Sequence, residues 1–149
     1  MNFDAGMRIG SLEILGALVI FGAIASRMHP APQAPARPRA MQLALSVHDA
    51  VGGPAREATF ALTEGGEPAI LGRSSDAQVG LLDPEVSRRH ARLELTRGVV
   101  YLTDLESSNG TFLNGKLLGN EGIEVRPGDD IDVGNTRISV RTMEPSAWT

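Results

Sequence analysis

The sequence predicts an all-β fold, built as a sandwich, for most of the 149 residues. Two observations carry this. Apolar and polar residues alternate in several short runs, the period of a strand with one buried face. Breakers rich in Gly, Pro and Asn separate those runs at short intervals, the spacing of a sandwich or barrel. Leu43, Leu45 and Val47 predict the first strand and Phe60 with Leu62 the second. Leu93 with Leu95, Val100 with Leu102, Ile131 with Val133 and Ile138 with Val140 predict the later ones. The turns between them include Gly52-Gly53-Pro54, Gly65-Gly66, Asp83-Pro84, Asn109-Gly110, Asn114-Gly115, Pro127-Gly128 and Gly134-Asn135. About 100 residues suffice for one core.

The first forty residues have a different character. Arg8, Arg27, Arg37 and Arg39 outnumber Asp4 and Glu13, so this part carries +2. The remaining ten basic and sixteen acidic residues leave −6. Residues 14–26 (ILGALVIFGAIAS) contain no charge. Extended back to residue 9, the run predicts a hydrophobic helix over about 9–26, roughly 27 Å long at 1.5 Å per residue. That is close to the hydrocarbon thickness of about 30 Å. A single-span membrane anchor fits best. A cleaved signal peptide, with Ala23-Ile24-Ala25 before Ser26, and a helix buried against a partner protein are the alternatives. Arg27, Arg37 and Arg39 follow the run and only Arg8 precedes it, so the positive-inside rule places the C-terminal part in the cytoplasm. Cleavage would export it instead. Residues 27–40 (RMHPAPQAPARPRA) hold four prolines and read as an extended spacer.

Composition removes several functions. The chain has no cysteine, which excludes a disulfide scaffold, a Cys-ligated zinc, an iron–sulfur cluster and a thiol nucleophile. A net charge of −4 and 4% aromatic residues argue against a nucleic-acid binder, which needs cationic surface and stacking platforms. His29, His48 and His90 lack metal-ligand spacing, so no metal is expected. No dinucleotide or Walker fingerprint is present, so no cofactor is expected. Asp83, Ser87 and His90 have the residue types of a triad, but three-residue spacing at a strand entry would turn Ser87 and His90 to opposite faces. No nucleophile elbow accompanies them, and the protein is not expected to be an enzyme.

The turns are where the chemistry lies. Arg73, Ser87, Arg88, Ser108 and Asn109 are all donors on predicted loops. Guanidinium, hydroxyl and amide donors with no neighbouring base suit an oxyanion such as phosphate, provided the fold brings the loops to one end. The run GRS…VSRRHA…DLESSNGTFLNG resembles the forkhead-associated (FHA) domain over about residues 42–142. The resemblance implies a twisted β-sandwich of about eleven strands that binds phosphothreonine peptides through loops at one end. It places the domain at 41–143, after the 1–26 segment and the 27–40 linker, with 144–149 as a C-terminal tail.

Position by position, the resemblance implies that Arg73 pairs with the phosphate and Ser87 hydrogen-bonds a phosphate oxygen. Arg88 would add charge or peptide contacts, Ser108 would touch phosphate or frame the pocket, and Asn109 would hold the peptide backbone. Gly72, Gly110 and Asn114 would shape turns, and His90 would tie two loops together. The function implied is a membrane-tethered module that recruits a phosphothreonine-bearing partner, with a separate Ser/Thr kinase supplying the phosphate. The alternative is an assembly subunit whose N-terminal helix docks into a larger complex and whose domain binds without phosphate. Glu85, beside the binding loops, is expected to disfavour acidic residues on one side of the phosphothreonine.

Overall fold

The computed structural model describes residues 40–50 and 52–146. The expected helix at 9–26 and the linker up to residue 39 lie outside the described residues, as does the end of the tail. Among the described residues there is no helix. Eleven strands form two sheets, as expected of the sandwich.

The first sheet has the order β2-β1-β11-β10-β7-β8. Its strands are β1 (Ala40–His48), β2 (Arg56–Thr63), β7 (Thr111–Leu113), β8 (Lys116–Leu117), β10 (Asp130–Val133) and β11 (Thr136–Pro145). The second has the order β4-β3-β5-β6-β9. It is built from β3 (Ala69–Gly72), β4 (Val79–Gly80), β5 (Ala91–Thr96), β6 (Val99–Asp104) and β9 (Ile123–Glu124). Pairing is antiparallel except between β3 and β4. Ala40, assigned to the linker from sequence, is already the first residue of β1: it pairs with Thr63 and is buried.

The alternation that predicts the strands is the alternation that fills the core. Leu43, Leu45, Val47, Ile131, Val133, Ile138 and Val140 come from the first sheet. Leu71, Leu93, Leu95, Val100 and Leu102 meet them from the second. Each such side chain contributes about 1.5–3 kcal/mol on leaving water. One irregularity resets the pattern. The β1–β11 register shifts between Ala44 and Leu45, which pair with Thr142 and Val140, so Arg141 is left opposite nothing. The bulge moves the inward phase by one residue: Val140 faces the core, and Met143 rather than Thr142 is the next to pack against it.

Two local features follow directly from the residues that form them. At Asn114-Gly115 both residues take positive φ (51° and 80°), and Leu113 pairs with Lys116 across the tight β7–β8 hairpin. Gly72, at the end of β3, has no such conformation; its requirement is space. A Cβ there would overlap the backbone carbonyl of Arg88. The bare glycine lets the Arg73 amide reach the Ser87 carbonyl at 3.1 Å and the Ser74 amide reach the Arg88 carbonyl at 3.0 Å.

Candidate functional site

Three loops meet at one end of the sandwich. Residues 73–78 follow β3, residues 81–90 join β4 to β5, and residues 105–110 join β6 to β7. Leu81, Asp83, Val86 and His90 anchor them inward, while Arg73, Arg88, Ser108 and Asn109 are exposed.

His90 is the tie between two of them. It is fully buried, and both ring nitrogens are engaged. Nδ1 accepts the Ser87 amide at 3.1 Å, and Nε2 lies 3.0 Å from the Gly110 carbonyl. An acceptor role at Nδ1 assigns the proton to Nε2, which then donates to Gly110. The His90 amide and carbonyl extend the tie, bonding the Leu71 carbonyl at 2.9 Å and the Leu105 amide at 2.9 Å. The hydroxyl of Ser87 takes no part in this. His90 therefore serves no nucleophile, and the reason differs from the one expected: Ser87 and His90 lie in a loop, not on a strand, and it is the serine amide that meets the ring.

Two carboxylates hold the loops, a role the sequence reading gave to neither. Asp83, fully buried, accepts the Glu85 amide at 2.9 Å, the Asn135 amide at 2.6 Å and the Thr136 hydroxyl at 3.3 Å. It staples the β4–β5 loop to the β10–β11 turn. Asp104 accepts the Ser107 amide at 3.0 Å, the Ser107 hydroxyl at 2.6 Å and the Thr111 hydroxyl at 2.6 Å, closing the β6–β7 loop on itself. Their sequence signal is short: an Asp with an amide two or three residues on, the pattern of a side-chain-capped turn. Burial alone would raise both pKa values, but the hydrogen bonds to the charged form outweigh it and hold both below the usual carboxylate value. A depressed folded pKa stabilises the fold above the unfolded value, and that contribution is lost as pH falls through the folded value. Both staples therefore persist at neutral pH and loosen only in acid.

On this frame the expected donors come together. Arg73 is exposed, and its Nε donates to the Val86 carbonyl at 3.2 Å, which aims the guanidinium along the β4–β5 loop. It makes no ion pair with Asp76 or Asp83: the first accepts the Ser74 hydroxyl and the second is turned inward. Ser87 is the central point. Its Oγ accepts the Ser108 amide at 3.1 Å and lies 3.5 Å from the Ser108 hydroxyl. Asn109, the next residue, donates from Nδ2 to the Glu85 carbonyl at 2.8 Å and to the Glu85 carboxylate at 3.0 Å. Arg88 is exposed, with no side-chain hydrogen bond or ion pair among the described residues.

Two of the supporting positions differ in detail from the expectation. At Asn109-Gly110 only the glycine takes positive φ, at 79°; in the same loop the other left-handed residue is Glu106. Asn114 lies away from this cluster. Its side chain bridges the Asp129 carboxylate at 2.8 Å and the Asp130 amide at 2.9 Å, so it shapes the β7–β8 hairpin and not the site itself.

The arrangement is a set of guanidinium and hydroxyl donors from the exposed Arg73, Arg88 and Ser108 and the half-buried Ser87, with the Asn109 amide beside them bonded to Glu85. Such a set binds an anion with several acceptor oxygens.

Comparison with known proteins gives consistent matches. The FHA domain family model matches residues 69–134. FhaB of Mycolicibacterium smegmatis is 35% identical over 80 residues, covering 54% of this chain and 51% of that protein. The chain spans about half the length of the FhaB relatives it matches. A solved domain from an analysis of phosphothreonine-dependent FHA interactions superposes with TM-score 0.54 at 35% identity, over 68% of this chain and 96% of that one. The FHA domain of FhaA, crystallised with the intracellular domain of another protein, gives TM-score 0.53 at 35% identity, over 66% and 99%.

Proposed function

Because this chain belongs to the FHA-domain family, whose shared domain is a phosphopeptide-binding module and not itself a catalytic one, we propose that it binds a phosphothreonine-bearing partner through the loops at residues 73–78, 81–90 and 105–110. One observation carries the reading. Ser87 is bonded to Ser108, Arg73 is held to the preceding Val86 carbonyl, and Asn109 is next in the chain, so guanidinium and hydroxyl donors lie beside an amide able to meet a peptide backbone.

The roles follow from the chemistry. Phosphothreonine carries a charge of about −1.5 to −2 at pH 7 and three strong acceptor oxygens. The terminal nitrogens of Arg73 would take two of those oxygens side by side, and the Ser87 hydroxyl the third. Ser108 would close the pocket wall, Arg88 would add charge at the rim, and Asn109 would hold the peptide backbone beside the phosphothreonine. Each charge-assisted hydrogen bond contributes about 1.5–3 kcal/mol. Three of them with backbone contacts reach about −8 kcal/mol, or micromolar affinity. A glutamate in place of phosphothreonine has half the charge and fewer oxygens, and would bind poorly.

The wider reading is that the module is tethered to the membrane, faces the cytoplasm, and meets a partner phosphorylated by a separate Ser/Thr kinase. The uncharged run at 14–26 and the arginines that follow it support this. Tethering raises the local concentration of a membrane-side partner.

Fluorescence anisotropy with a labelled phosphothreonine peptide library, fixed at the phosphothreonine and randomised around it, tests the core of the proposal. Full-length protein should bind it about 100-fold more tightly than the unphosphorylated library. Equal binding of the two would favour a phosphate-independent assembly role instead.

A further inference from the structure

We infer that Glu85 decides which phosphothreonine targets this site accepts, by orienting Asn109 and by placing a carboxylate that favours a basic residue flanking the phosphothreonine. The inference rests on the phosphothreonine reading above and adds the class of target.

Asn109 has two N–H groups on Nδ2, and the structure directs both at one residue, to the Glu85 backbone carbonyl at 2.8 Å and its carboxylate at 3.0 Å. Two acceptors on one side settle the orientation of the amide, since the flipped form would set oxygen against oxygen. The amide oxygen of Asn109 is thereby left as its outward end, with no hydrogen bond among the described residues. That end can accept an N–H from an extended peptide. Glu85 is a positioning residue here: it lets Asn109 meet the target with an acceptor already aimed.

The second consequence is electrostatic. Glu85 is exposed and its carboxylate lies beside Asn109, so it would border a peptide that Asn109 holds. Arg56 pairs with Asp49, Arg92 with Glu94, Arg126 with Glu124 and Arg137 with Asp132, and Glu85 belongs to none of these pairs. Its backbone is fixed on both sides, by its amide bond to Asp83 and by its carbonyl bond to Asn109. The charge is thus held in place and not on a free tip. A basic side chain on the target gains a partner there, and an acidic one meets repulsion.

The test uses full-length protein and synthetic phosphothreonine peptides bearing Lys, Ala or Glu at single positions on either side of the phosphothreonine. At the most sensitive position, wild type should bind the Lys peptide about ten-fold more tightly than the Glu peptide at low salt, with the gap closing as salt rises. Glu85→Lys should invert the order. Glu85→Gln keeps an acceptor for Asn109, so it should erase the gap and leave the Ala peptide within about three-fold of wild type. Glu85→Ala should also weaken the Ala peptide and shift the Asn109 side-chain amide signal in the nitrogen–proton spectrum without ligand, whereas Glu85→Gln should leave that signal near its place. A Lys–Glu gap that is absent in wild type, or unchanged in Glu85→Lys, overturns the role of Glu85 while the phosphothreonine reading stands. Failure of every phosphopeptide, whatever its flanks, overturns the reading beneath it.

Discussion

Arg73→Ala is expected to weaken phosphothreonine-peptide binding by about 100-fold while leaving the fold intact. The size follows from what the side chain offers. Its Nε is committed to the Val86 carbonyl, so the fork is aimed and the two terminal nitrogens form a paired donor. Losing two charge-assisted bonds to a dianion removes about 3 kcal/mol or more. The cost to stability is small, because Arg73 is exposed and gives the fold only one hydrogen bond, about 1 kcal/mol. Arg73→Lys should recover part of the loss, since an ammonium supplies charge without the planar fork. Anisotropy for binding and a thermal melt for stability separate the two effects. Full binding by Arg73→Ala would place the phosphate elsewhere.

The second large effect is opposite in kind. His90→Ala should destabilise the domain by about 4 kcal/mol and weaken binding with it. The ring is fully buried, and its removal orphans two backbone groups on two loops, the Ser87 amide and the Gly110 carbonyl. Each orphaned group costs about 1–3 kcal/mol, and the cavity adds to that. The chain segment freed first is the one carrying Ser87 and Arg88, so binding falls although His90 itself would never touch the peptide. Denaturant unfolding measures the stability change. A loss of binding with no loss of stability would mean that His90 acts on the ligand directly.

These two residues also show how far a sequence can be read. The strands with four or more alternating residues were legible because their period matches their burial, as in β5, β6 and β10. Asn114-Gly115 was legible because that dipeptide suits a turn with two positive φ values. Two-residue strands such as β8 and β9 are too short to show any period. The far end of β11 was hidden by the bulge at Arg141, which shifts the alternation out of phase. For the site, the residue types and motifs pointed to Arg73, Ser87, Ser108 and Asn109, but periodicity says nothing of how loops converge. Convergence comes from long-range bonds, above all the Ser87–Ser108 and His90–Gly110 contacts across two loops. The stapling roles of Asp83 and Asp104 were missed for a related reason. A buried carboxylate looks like any turn aspartate until the amides and hydroxyls around it are known.

The most direct measurement is a nitrogen–proton spectrum of the full-length protein titrated with a short phosphothreonine peptide. The expected result is that the largest shifts fall on Arg73, Ser74, Ser87, Arg88, Ser108 and Asn109 together and saturate along one binding curve, with the unphosphorylated peptide producing none of them. Shifts centred elsewhere, such as the outer sheet surface around His48, Phe112 and Arg137, or equal shifts from both peptides, would contradict a phosphate site built on these loops.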